Sequence, residues 1–317
     1  MRQIPDWYGA DVKIGFGLPV SGAWATVDII EHVARRAEEL GYHELWSFQR
    51  LLSPVDGAWG EQYRSVHDPM VALAYAAALT TRIRLGVAVV NMPFVTPVLL
   101  AKQTATLDIL CRGRLDMGLG LGWADEEYAA AGATKQRVAA RADEFIQVYR
   151  SLMADEVVEH DGEFYHIPRT RQDPKPVQRP HPPIILGGTV PAALRRAGRL
   201  ADGWVSSSRA DLVAIGDSIR IVREAAAAAG RDPSALRFVC RGVVKVRPDA
   251  TGADRAPLTG SVDQIRADLD AVAGRGVTEL FIDLNFDPQI SSPDADPAAS
   301  LRRADEVLDA FAPATSS

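Results

Sequence analysis

Residues 113–127 read GRLDMGLGLGWADEE, with glycines at 118, 120 and 122 alternating against Met117, Leu119 and Leu121. A short apolar run that meets acidic residues in this way reads as a strand over 113–121 leading through a loop into a helix. Successive strand side chains point to opposite faces, so Gly118, Gly120 and Gly122 strip one face bare over about three pleats. Such a stripe admits a ligand or a second backbone close to the strand, and tight packing inside a barrel is the bland alternative. A dinucleotide fingerprint is excluded, because G-x-G-x-x-G begun at Gly118 ends on Trp123 and begun at Gly120 ends on Asp125.

The same rhythm extends to both sides. Further strands are expected at VKIGFGL (12–18), HELWSF (43–48), RIRLGVAVV (82–90), PIILGG (183–188), GWVSS (203–207), RFVCRGVVKV (237–246) and TELFIDL (278–284). Helical periodicity separates them. One helix starts near Thr26, carries Ile30, Val33, Ala34, Ala37 and Leu40 on one face, and stops at Gly41. Others span His67–Leu79, follow the Thr96-Pro97 start, run over 134–153 (Val138, Ala142, Phe145, Tyr149, Leu152), 190–201 and 211–229, follow the Ser261/Gln264 capping box, and span Pro297–Phe311. Residues 155–182 read as an insertion. In it, VVEHDGEFYHI (157–167) is a hairpin turning on Asp161-Gly162, and the proline-rich remainder is extended. Eight strand–helix alternations with unbroken apolar strands predict an α/β protein. The expected form is a (β/α)₈ barrel in one domain over 1–317, with an open doubly wound sheet as the alternative. In a barrel the active site lies at the C-terminal ends of the strands.

Composition sets the bounds. The 317 residues are 47% hydrophobic with a net charge of −6 and no dense Lys/Arg block, so neither a nucleic-acid nor an anionic-membrane surface is expected. The first residues, MRQIPDWYGADVKIGFG, show no signal-peptide pattern, and no stretch approaches the roughly 18 apolar residues of a membrane span. Cys111 and Cys240 are far apart and outside any CxxC pattern, which suits buried thiols in a reducing cytoplasm.

Several chemical motifs are missing. His32, His43, His67, His160, His166 and His181 lack metal-ligand spacing, so no metal is expected, and there is no GxSxG or Walker loop. Asp125, Glu126 and Glu127 read as charges of a first helical turn, and Arg141 and Glu144 as solvated or cross-linking helix charges. GVAVVNMPFVTP (86–97) says only that a strand ends in a shaped loop. Gly187-Gly188-Thr189 precedes a helix with Pro191 in its first turn. It is either an ordinary tight turn or a backbone-amide anion site.

In combination, LAKQTATLDILCRGRLDMGLGLGWADEEYAAAG and KPVQRPHPPIILGGTVPAALRRAGRLADGWV resemble the bacterial luciferase-like oxidoreductase superfamily, nearest its branch using the deazaflavin coenzyme F420. The resemblance covers nearly the whole chain. It implies a (β/α)₈ barrel with an insertion after the fourth unit and a flavin or deazaflavin at the C-terminal mouth. It also implies a homodimer and a non-prolyl cis peptide at Val87–Ala88 behind the cofactor's middle ring. Ser47, Gly120, Leu121, Gly122 and Trp123 are the further cofactor positions so implied, and Gly187, Gly188 and Thr189 a second set of contacts to the tail phosphate.

The departures shape the functional expectation. Relatives with an Asp-His pair after the second strand are matched here by Ser47, Phe48 and Gln49, and a glutamate of sugar-phosphate oxidisers is matched by Trp123. Gln49 donates hydrogen bonds but is no acid at neutral pH, and Trp123 offers an aromatic wall. Gln49 and Trp123 are therefore the catalytic candidates, with no proton donor identified. Gln49, Arg50, Trp59 and Tyr63 form the expected substrate wall, for a substrate less polar than a sugar phosphate. The leading expectation is an F420-dependent hydride-transferring oxidoreductase. An FMN-dependent monooxygenase using reduced flavin and oxygen is the alternative, and a non-catalytic flavin- or deazaflavin-binding protein the third.

Overall fold

Hydroxyls and carboxylates start the helices where the sequence places them. Thr26, Asp68, Thr96 and Asp296 accept first-turn amides, and Ser261 and Gln264 close a reciprocal capping box. The computed structural model describes residues 12–247 and 255–313, so the character expected of residues 1–11 lies outside it. The strands, in chain order, are β1 (Lys13–Gly17), β2 (Glu44–Ser47), β3 (Arg84–Asn91), β4 (Leu115–Gly120), β5 (Val158–Asp161), β6 (His166–Thr170), β7 (Ile184–Gly187), β8 (Gly203–Val205), β9 (Arg237–Val243), β10 (Lys245–Val246), β11 (Thr259–Gly260) and β12 (Glu279–Asp283). The helices are α1 (Val27–Glu39), α2 (Pro69–Leu79), α3 (Pro97–Leu110), α4 (Asp125–Ala130), α5 (Val138–Ala154), α6 (Pro191–Leu200), α7 (Ile215–Ala228), α8 (Val262–Ala273), α9 (Pro288–Ser291) and α10 (Pro297–Ala310).

Eight strands close a parallel barrel in the order β1-β2-β3-β4-β7-β8-β9-β12, with β12 pairing back onto β1. This is the (β/α)₈ architecture, and the open-sheet alternative falls. No described helix is long and apolar enough to cross a membrane. The hairpin β5–β6 sits between α5 and β7, but its connection is the four residues 162–165 rather than an Asp161-Gly162 turn. Glu144 explains the difference. Its carboxylate takes the Phe164 and Tyr165 amides at 2.8–3.1 Å and holds the loop wide. Arg141 is half-buried and lies 4.7 Å from the Phe164 ring centroid, so both helix charges take the cross-linking role of the two expected. The strand expected over 237–246 breaks at Val244, and Lys245–Val246 pair with Thr259–Gly260 outside the barrel.

Strand alternation sends every second side chain into the barrel, where the residues stack in layers. At the N-terminal floor, Asp116 accepts from Arg84 (2.6 and 2.9 Å) and Arg237 (2.9 Å), and Arg237 also grips Glu279 through two bonds of 2.6 Å. Glu44 lies 3.4 Å from Arg237. Above them Trp46 stacks on Phe281 at 5.2 Å, packed with Ala88, Ile185, Val205 and Val239. Within the floor, burial and the Asp116 charge push the Glu44 carboxyl well above its ordinary value. Burial would also raise Asp116, but the two guanidinium groups outweigh it and hold that carboxyl low. His43, Glu44 and Glu279 come close enough to offer a metal three ligand atoms. Histidine spacing along the chain does not reveal this group, and Arg237 already pairs with its carboxylates.

Gly118 has a different constraint. A Cβ there would stand 1.8 Å from the Val87 carbonyl oxygen, so β3 and β4 approach this closely only over a glycine.

Three substitutions test these roles in stability. Folding raises the Glu44 pKa above its ordinary value of 4.5, so wild-type stability falls as pH rises above that value. Glu44→Gln lacks this loss, and its advantage in urea denaturation should grow as pH rises above 4.5. Asp116→Asn leaves two guanidinium groups short of a countercharge and should cost about 3 kcal/mol at pH 7. Gly118→Ala should cost about 3 kcal/mol in the same assay, through displacement of the β3 backbone.

Candidate active site at the barrel mouth

Where the strands end, a cavity of about 350 Å³ opens at the C-terminal face. Its first wall is the end of β3. Val87 pairs with Met117 but Val90 with Leu119, so β3 carries one extra residue as a bulge. The non-prolyl cis peptide lies at Ala88–Val89, one residue after the expected Val87–Ala88, because the register slips beyond Val87. Ala88 and Val89 line the cavity, whereas Val87 is fully buried in the main core.

The glycines fit this bulge. A Cβ on Gly120 would lie 2.4 Å from one Val89 methyl, and a Cβ on Gly187 would lie 3.1 Å from the other. Gly120, Leu121, Gly122 and Trp123 line the cavity, and Gly118 does not. The alternation therefore serves two ends: Gly118 admits the neighbouring backbone, and the last two glycines open the cavity.

The opposite wall is the turn after β7. Gly187, Gly188 and Thr189 reach the cavity, and the Gly188 carbonyl is pinned by the Trp204 indole N–H at 2.8 Å. Val190, at the N-cap of α6, has no side-chain acceptor for the first-turn amides. Donors and helix dipole together favour an anion there. Ser206, Ser207 and Ser208, after β8, face the same space.

The loop after β2 forms the outer wall with Phe48, Gln49, Arg50 and Tyr63. Gln49 accepts the Asn91 amide through Oε1 at 2.9 Å, which ties this loop to the end of β3. The Arg50 guanidinium lies 4.9 Å from the Tyr63 and Trp123 ring centroids and 5.4 Å from that of Trp59. Glu127 secures it from behind, accepting from Arg50 at 3.1 Å and from the Leu51 amide at 2.7 Å. All three acids lie in the first turn of α4 as expected; Glu127 is fully buried and clamps the loop, whereas Asp125 and Glu126 are exposed. Besides Val87, two expected members stand outside the cavity. The Ser47 hydroxyl is buried and donates to the Gly86 carbonyl at 3.4 Å, and Trp59 packs edge-on against Trp123 at 5.0 Å.

Sequence reasoning missed Arg241 on β9. Its guanidinium is buried at the cavity, donates to the Ala88 carbonyl at 2.5 Å, and lies 3.4 Å from the Asp283 carboxylate among Phe48, Phe281 and Phe286. Burial lowers its pKa, and burial likewise raises that of Asp283. A charge inside the apolar run RFVCRGVVKV was the available signal. Cys240 beside it is a buried free thiol, pushed up to about 12 by burial.

Removing the Glu127 carboxylate strips Arg50 of its buried partner. Glu127→Ala should cost about 3–5 kcal/mol in urea denaturation, against less than about 0.5 kcal/mol for the exposed Glu126→Ala.

With this geometry in view, the comparisons carry weight. The luciferase-like monooxygenase family model matches residues 15–263. An uncharacterised Mycobacterium tuberculosis protein is 36% identical over 173 residues, 54% of this chain, and the chain spans about 60% of that relative's length. The FMNH(2)-dependent dimethylsulfone monooxygenase of Pseudomonas putida is 28% identical over 253 residues, 79% of this chain and 66% of its own. An F420-dependent secondary alcohol dehydrogenase, solved with an F420-acetone adduct, shares the fold at TM-score 0.76 and 17% identity over 95% of this chain and 99% of that one. The chain belongs to the luciferase-like monooxygenase family.

Proposed function

We propose that the cavity binds a flavin-type cofactor, coenzyme F420 in the first place, and that the protein is an oxidoreductase passing a hydride between it and a small organic substrate. The observation that carries this reading is the chemistry of the wall. The described lining holds no carboxylate, imidazole, thiol or ammonium side chain. Such a wall binds, orients and excludes water, and the redox chemistry comes with the bound cofactor.

The residues present fit such a group. The bulge at Ala88–Val89 and the bare ends of β4 and β7 leave a flat apolar face for a ring system. The Gly187–Val190 turn before α6 offers a phosphate its amides and helix dipole. Protons at the substrate would be held or moved by hydroxyls, with Tyr63 and Ser206–Ser208 at the wall. F420 is favoured by the resemblance of the glycine-strand and Gly-Gly-Thr blocks and by the fold shared with an F420-dependent alcohol dehydrogenase. The second reading, FMN with oxygen, is favoured by the relative named as FMNH(2)-dependent.

Titration of the purified protein separates these readings. Quenching of deazaflavin fluorescence at micromolar or tighter affinity is expected, and retention of FMN alone on gel filtration would install the second reading. Ser207→Trp, which fills the cavity mouth, should weaken cofactor binding at least tenfold while leaving the thermal midpoint unchanged. Binding of neither cofactor overturns the proposal. Tight binding without turnover of alcohols, ketones or enones would leave a non-catalytic binding protein.

A further inference from the structure

We propose that the outer half of this cavity is built for a small substrate bearing a carboxylate on a flat apolar body, with Arg50 binding the anion. This rests on the reading above, in which the bulge and glycine walls hold the cofactor.

The charge balance of the lining comes first. The cavity is faced by two guanidinium groups, Arg50 and Arg241, and by no carboxylate among the described residues. Their partners Glu127 and Asp283 stand behind the wall, fully buried. Arg209 adds a third positive charge at the rim, 5.8 Å from the Trp123 ring centroid. The field inside is therefore positive, and low-dielectric walls strengthen it.

Both guanidinium groups keep unused donors, and position separates them. Arg241 donates to the Ala88 carbonyl, faces Asp283 at 3.4 Å and is shut in among three phenylalanines, whereas Arg50 stands in the outer wall. Arg50 gives Glu127 one N–H, through Nη1; its Nε is buried without a partner, and its Nη2 has none among the described residues. Tyr63, Trp123 and Trp59 hold the guanidinium plane by cation–π contacts, which leaves the donors on its edge. A fixed planar fork with unused donors matches a carboxylate better than a neutral carbonyl. Burial lowers the pKa of both guanidinium groups, and Arg50 lowers that of Arg241 further, so an anion between them relieves two costs. Beside the fork, Trp123 is 46% exposed, an unusually open large ring that a flat apolar body would cover.

Calorimetric titration with 3-phenylpropanoate and 3-phenylpropanamide tests this, with and without saturating cofactor. The carboxylate should bind at least tenfold more tightly than the amide, and equally well when cofactor is present. In Arg50→Met/Glu127→Gln, which removes the pair without stranding a charge, the preference should vanish while cofactor affinity stays within threefold. Arg50→Lys, which keeps the charge but loses the fork, should retain part of it. Equal binding of the two probes overturns the proposal, as does a preference that survives both variants. Competition between carboxylate and cofactor, or loss of cofactor binding in the double variant, overturns it by assigning Arg50 to the cofactor. An Arg50-dependent preference in a protein that binds neither F420 nor FMN sustains the anion site and sinks the cofactor reading alone.

Discussion

The Val87 carbonyl oxygen occupies the place where a side chain on residue 118 would begin. This contact lets β3 carry an extra residue and still pair with β4 on both sides of the bulge. The bulge turns Ala88 and Val89 into the barrel mouth, and the bare faces of Gly120 and Gly187 receive the Val89 methyls. The geometry of the cavity therefore follows from one close approach of two backbones.

Charge is distributed along the barrel axis in a way that separates stability from recognition. At the floor, Asp116 and Glu279 balance Arg84 and Arg237, beside a Glu44 whose pKa burial and Asp116 raise. At the mouth, each carboxylate lies behind its arginine, with Glu127 beneath Arg50 and Asp283 beside Arg241, so the cavity itself sees cations. Paired carboxylates keep the arginines in place against the cost of burial. What reaches the cavity is the unused donor capacity of a guanidinium, which matters for binding rather than for folding.

Much of this was legible in the sequence. The eight alternations, the capping residues Thr26, Thr96 and Ser261, and the ends of β4 and β7 all follow from local rules of periodicity and hydrogen bonding. Local rules failed where distant residues intervene. The hairpin loop is set by Glu144, which lies on α5, and the burial of Glu127 is set by a partner 77 positions away. Arg241 was missed because an isolated charge in an apolar run acquires meaning only once Ala88 and Asp283 are beside it.

The chain's spacing of apolar residues, glycines and caps thus determined a parallel barrel and the face on which its site would open. These are near-neighbour properties, fixed by backbone geometry over a few residues. Tertiary structure decided which glycine serves packing and which serves the cavity, which acids are buried, and which arginine stands in the outer wall. Those distinctions depend on distances between residues far apart in the chain, such as Ala88 and Arg241, and strand closure brings them together.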